Sequence, residues 1–131
     1  MSTFVPSKIA KFIFAAVMAT FGIMHFVFGA NMITMVPKWL PLQPIYWVYL
    51  AGLALMAYGL AVLINHKYQK IAGYLLATMF FLFIILVHMP SMNSNPMALP
   101  LMLKDIAMAF AAIFIANSVE EDWVQSSYIE F

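Results

Sequence analysis

The 131-residue chain has no cysteine and no arginine, and only 8% of its residues are charged. Without a thiol it can run no disulfide exchange, no thiolate catalysis and no thiolate metal site, and it cannot attach haem through cysteine. Six lysines against five acidic residues leave a net charge of +1. Such a balance builds no basic face, and nucleic acid drops out as a partner. The scarcity of charge is itself informative, since an ordinary soluble domain carries about a quarter charged residues. Hydrophobic residues fill 66% of the chain instead, so water is not its solvent.

Four apolar runs reach the roughly 18 to 20 residues needed to cross about 30 Å of hydrocarbon. They cover residues 9–30, 45–64, 71–89 and 101–117. The expected fold is an all-α membrane protein, one four-transmembrane-helix bundle followed by an acidic tail over 118–131. The first run resembles a signal peptide. Its apolar length exceeds the usual 7–15-residue core of one, no small-x-small site ends it, and three more spans follow, so it is expected to stay as a first span. The polar stretch Asn65-His66-Lys67-Tyr68-Gln69-Lys70 is a short hairpin that makes helices two and three antiparallel neighbours. Lys8, Lys11, Lys67 and Lys70 flank one side and Lys38 and Lys104 the other, which predicts both termini in the cytoplasm and suits a bacterial inner membrane. In the tail, Trp123 and Tyr128 are placed to rest at the headgroup level.

Residues 31–44 cannot span, because Pro37, Pro41 and Pro44 each lack a backbone donor and crowd the preceding turn. The segment is nevertheless apolar. Val36-Pro37-Lys38-Trp39-Leu40-Pro41, followed by Tyr46, Trp47 and Tyr49, reads as an interfacial segment and a candidate lid, because indole and phenol groups prefer the membrane–water boundary.

Counting along each span at about 1.5 Å per residue places His25, Tyr49, His88, Lys104 and Asp105 within roughly 10 Å of the same, outer membrane face. His25 shares a helix side with Ala15, Met18, Gly22 and Gly29, and Tyr49 lines up with Gly52, Met56 and Gly59. Asp105 heads the stripe Ala109, Ala112 and Ala116, a close-approach surface that points it inward. Lys104, rotated about 100° from it, is expected to snorkel its ammonium to the headgroups rather than curl inward. Ionisable groups at this depth cost about 2.5 kcal/mol or more unless paired, which makes them functional candidates. The alternative for His25 and His88 is a neutral imidazole hydrogen-bonded to Tyr49, Asn31 or a carbonyl, fixing helix register. His66 reads as an ordinary solvated residue, and the twelve methionines as flexible apolar filler rather than Cu(I) ligands.

Taken in order, His25-Phe26, Val36-Pro37-x-Trp39-Leu40-Pro41, Tyr49-x-x-Gly52, His88-x-Pro90 and Lys104-Asp105-x-Ala107 resemble the DoxX-like family of small four-helix membrane proteins, over about residues 12–117. The resemblance implies a four-helix bundle associated with membrane redox systems, since that family is similar to a thiosulfate:quinone oxidoreductase subunit and to the methylamine-utilisation protein MauE. It also resembles a branch of receptor-assembly chaperones. It carries over no catalytic residue, and the missing cysteines remove any dithiol mechanism.

Three functions follow as expectations. The first is a redox-associated accessory subunit holding a quinone or similar amphipathic ligand, with His25, His88 and Asp105 as hydrogen-bond and proton partners and Trp39 and Tyr49 as an apolar wall. The chain has no electron carrier of its own, so a membrane protein partner or further copies of the chain are implied, and independent catalysis is not expected. The second is a non-catalytic assembly subunit of a larger membrane complex. The third is a bis-histidine b-type haem between His25 and His88. A transporter would require oligomerisation, because no internal repeat is visible.

Overall fold

The computed structural model describes residues 4–65 and 67–129, with side chains described as far as residue 119. The expectations for His66 and for the tail side chains, Trp123 and Tyr128 included, lie outside the described residues. The described chain is all-α, and four of its helices are long and apolar enough to cross a membrane. It is an integral membrane protein. Large apolar side chains such as Ile13, Leu53, Leu60, Leu75, Leu82 and Phe114 stand exposed along these helices, as a hydrocarbon solvent requires and water would not tolerate in such number.

The chain divides into two compact units, Met1–Lys67 and Tyr68–Phe131. The first holds α1 (Ser7–Val27), the one-turn α2 (Gly29–Met32), a 3₁₀ turn (Ile33–Met35) and α3 (Pro44–Leu63). The expected continuous span over 9–30 is in fact broken. Phe28 leaves helical geometry at φ −111°, ψ 16°, its N–H bonding back to Met24 O, and the chain restarts at Gly29. Gly29 packs against Tyr49, Ile45 and Val48 of α3, where an added Cβ would stand 3.1–3.4 Å from their side chains; the break lets the backbone tuck in.

Residues 36–43 make no helix. Leu42 takes a left-handed φ of 70°, and Gln43 is extended ahead of Pro44, which opens α3 at the position where a missing N–H costs nothing. The Trp47 indole N–H donates to Pro41 O at 2.6 Å and ties the segment to the helix that follows it. At its other end α3 stops at Asn65, held at φ 53°, a conformation asparagine tolerates better than most residues.

α1 and α3 meet through glycine. A Cβ on Gly22 would lie 2.7 Å from Gly52 O, and one on Gly59 would lie 2.7 Å from Ala15 O. The backbones therefore approach as small-residue seams allow, with Ala15, Met18, Leu55 and Val62 buried along the contact. Tyr58 sits edge-on to Phe14, ring centroids 6.0 Å apart. It is only 2% exposed, yet its hydroxyl finds no hydrogen-bond partner among the described residues. A buried unpartnered hydroxyl costs about 1–3 kcal/mol, so Tyr58→Phe is expected to raise stability by about 1 kcal/mol in a detergent unfolding titration. A loss of that size would show that the hydroxyl is satisfied.

The second unit pairs α4 (Gln69–Ser91) with α5 (Ala98–Ile129). α5 starts from Asn95-Pro96, where Asn95 Oδ1 accepts the Met97 N–H at 2.9 Å, an asparagine cap followed by proline. Gly73 admits α5 closely: its Cβ would stand 2.9 Å from Ala116 Cβ and 3.1 Å from Ala112 O. Tyr74 OH donates to Asn117 Oδ1, and Phe81 meets Phe110 edge-to-face with centroids 5.9 Å apart. The helix does not end at 117. It runs on to Ile129, into the stretch expected to form the acidic tail.

Candidate functional site

Within the C-terminal unit, two local features of the sequence bring three ionisable side chains together. The first is at the end of α4. Pro90 has no N–H to offer Leu86 O, and its ring crowds that carbonyl. The helix answers by widening: residues Ile84–His88 form a π turn, closed by the Met89 N–H reaching back five residues to Ile84 O. π turns of this kind recur at functional sites. His88 is the last residue of the turn, and the Ser91 hydroxyl donates to its carbonyl at 3.1 Å.

The second feature is the alanine stripe of α5. Ala109, Ala112 and Ala116 are fully buried and carry Asp105, two turns into the helix, onto the face that meets α4. Asp105 is also the first acidic residue of the chain. No other carboxylate is present among the described side chains.

The geometry is a bridge. His88 Nε2–H donates to Asp105 Oδ2 at 2.8 Å, with the two side chains 7% and 3% exposed. Lys104 Nζ lies 3.3 Å from the other carboxylate oxygen, Oδ1, while its side chain is 49% exposed. Lys104 thus does not simply snorkel, as expected; its stem runs outward but its ammonium turns to Asp105, because the carboxylate of the next residue is within reach and both charges are better paired in a low-dielectric setting. With Asp105 ionised, Lys104 protonated and His88 neutral, the trio carries no net charge. The hydrogen bond to Asp105 puts the imidazole proton on Nε2 and leaves the lone pair on Nδ1.

In the N-terminal unit His25 and Tyr49 are placed differently. His25 Nδ1–H donates to Phe21 O, four residues back on its own helix, at 2.7 Å, the register-fixing role weighed against a functional one. Its Cβ is held close to α3 because Gly52 has none of its own; a Cβ there would lie 2.8 Å away. Tyr49 stacks on Phe26, centroids 5.0 Å apart and planes 16° from parallel. Phe26 occupies the tyrosine face, and Trp39 is 69% exposed on residues 36–43, where an indole suits the headgroup layer.

As a haem ligand His88 would have to give up its bond to Asp105, since Nε2, the usual iron-facing nitrogen, is the atom that makes it. What the trio can do is hold, orient and exchange protons: a carboxylate with one oxygen on an imidazole and the other on an ammonium that reaches the helix surface. Sequence reasoning missed Pro90 and Ser91 as parts of this arrangement. Pro90 two residues after a histidine was the signal that could have found the π turn.

A protein-family model, Domain of unknown function (DUF8561), matches residues 14–120, a stretch that includes every residue of both clusters. The chain belongs to the DUF8561 family. No curated protein matches it, and neither does any solved structure. Within this DUF8561 chain the site stands on its geometry.

Proposed function

We propose that the chain is an accessory subunit of a membrane redox system and holds a quinone or similar amphipathic ligand beside His88, Asp105 and Lys104. The observation that carries this reading is the buried His88–Asp105 hydrogen bond, at one end of two membrane-length helices. An imidazole and carboxylate kept in an apolar region cost free energy even when paired, and ionisable groups inside a membrane mark sites of function by default. Quinone reduction takes up two protons with two electrons. In the tautomer that Asp105 sets, His88 Nδ1 carries the lone pair, so the imidazole accepts from a quinol hydroxyl and gives a proton to a quinone oxygen only after taking one up on Nδ1; the Lys104 ammonium is a donor to the same oxygen. The electrons come from a partner protein, because this chain has no thiol couple.

The DoxX-like motifs support the same reading, and the four-against-two lysine bias supports cytoplasmic termini in a bacterial inner membrane, with the site in the outer leaflet. The test is binding of a short-chain ubiquinone to the full chain in lipid nanodiscs, followed by quenching of indole fluorescence. Saturable binding is expected, weakened about tenfold, or about 1.4 kcal/mol, by His88→Ala. Quenching that rises linearly with quinone and ignores the substitution would defeat the proposal.

A further inference from the structure

We infer that Pro90 is the positioning residue of this site: it sets the helical register that brings His88 to Asp105. The inference takes the trio as the site and in that sense rests on the proposed function, but its geometry is independent of the ligand.

The buried side of α4 runs through Gln69, Gly73, Leu76, Ala77, Phe80, Ile84 and His88. Its last three members are four residues apart. In an α-helix of 3.6 residues per turn each fourth residue advances by about 40° around the axis, so His88 would fall about 80° away from Phe80. That displacement would carry the imidazole off the face that packs on α5. The π turn cancels it. A turn closed by a five-residue bond holds one more residue than an α turn, and swings the fourth residue back, so that His88 returns over Phe80 and meets Asp105 at 2.8 Å.

The cause of the widening lies in the chemistry of residue 90. In a regular helix residue 90 would donate to Leu86 O and Met89 to Ile85 O. Proline cannot make the first bond and its ring pushes against that carbonyl; Met89 bonds Ile84 O instead. With alanine at position 90 the missing donor is restored and the crowding removed, and the α register becomes the favoured one. The substitution leaves the Asp105 and Lys104 side chains themselves unchanged, and its effect reaches the site through rotation of His88.

The experiment uses ¹⁵N-histidine NMR of the full chain in nanodiscs. The sequence has three histidines, and loss of one signal set in His88→Gln assigns the third. Wild type is expected to show an Nε2–H imidazole with the proton shift of a carboxylate hydrogen bond, and Asp105→Asn to lose that shift. Pro90→Ala is expected to lose it equally. Deleting Ile85, an exposed residue of the π turn, in the Pro90→Ala chain removes the extra residue and puts the histidine three after Ile84, back on the buried face; the signature is expected to return. Quinone affinity should follow the same order, falling about tenfold and recovering.

A Pro90→Ala chain with the wild-type histidine spectrum would overturn the inference. So would a signature that stays lost after the deletion, which would mean general damage rather than register. Should Pro90→Ala not fold, the deletion chain decides alone: a carboxylate-bonded histidine there, with neither proline nor π turn, supports the inference, and its absence overturns it. Failure of quinone binding with the NMR pattern intact would count against the proposed ligand and leave the role of Pro90 standing.

Discussion

Asp105→Ala is expected to destabilise the C-terminal helix pair by about 3 kcal/mol, the upper end of the cost of leaving a buried donor without its acceptor. The carboxylate serves two neighbours at once, His88 on Oδ2 and Lys104 on Oδ1. Alanine leaves the imidazole N–H buried without an acceptor, which alone costs about 1–3 kcal/mol. Lys104 adds less than a buried ammonium would, because it is half exposed and can turn its head to the membrane surface along its flexible stem. Asn at 105 keeps an acceptor for Nε2–H and loses only the charge, so Asp105→Asn is expected to cost about 1 kcal/mol, near the average of polar contacts between transmembrane helices. Removing both partners, with His88→Ala added to Asp105→Ala, should cost less than the two single changes together, since neither side is then left unsatisfied. Unfolding titrations in mixed micelles measure all four. Equal losses for Asn and Ala at 105, or strict additivity of the pair, would mean that the hydrogen bond is not made in the membrane.

How legible this site was depended on how each residue reaches it. The four spans could be read from length alone because bilayer thickness sets it. The inward aim of Asp105 could be read too, since Ala109, Ala112 and Ala116 repeat at helical spacing and only a close helix contact needs that stripe. Lys104 could not be placed: its four-carbon stem reaches either way, and the choice depends on an ion pair with the adjacent residue rather than on periodicity. Pro90 was visible but ambiguous. A proline's missing donor can end a helix or widen a turn, and the residues around it fit both outcomes. The break at Phe28 was no more legible, since the Gly29 that follows it is a residue a continuing helix also tolerates at a cost of about 1 kcal/mol. The role of Trp39 as a pocket wall was an inference from amphipathicity. Trp39 is exposed and Tyr49 stacks on Phe26, and amphipathicity says only that such rings suit an interface.

Gly22→Ala is expected to weaken the α1–α3 pair by about 2 kcal/mol and Gly22→Leu to separate the two helices, the largest effect in the N-terminal unit. Two terms oppose each other. Alanine is a better helix former than glycine by about 1 kcal/mol, so an unobstructed site would gain. At Gly22, however, a Cβ meets backbone: Gly52 O at 2.7 Å and Met56 N at 2.8 Å, besides Met56 Cγ at 2.5 Å. The side chain can swing away, but the backbone atoms move only if the helices part, and overpacking of this kind costs about 1–3 kcal/mol, sometimes more. Gly59 is similarly blocked by Ala15 O at 2.7 Å, whereas Gly29 meets only the side chains of Tyr49, Ile45 and Val48 at 3.1–3.4 Å. Gly29→Ala should therefore lie close to neutral. The order Gly22 and Gly59 well below Gly29 is what thermal unfolding in detergent should return. A gain in stability from Gly22→Ala would mean that α1 and α3 do not approach at backbone contact, and the glycine seam would lose its role in holding His25 against Gly52.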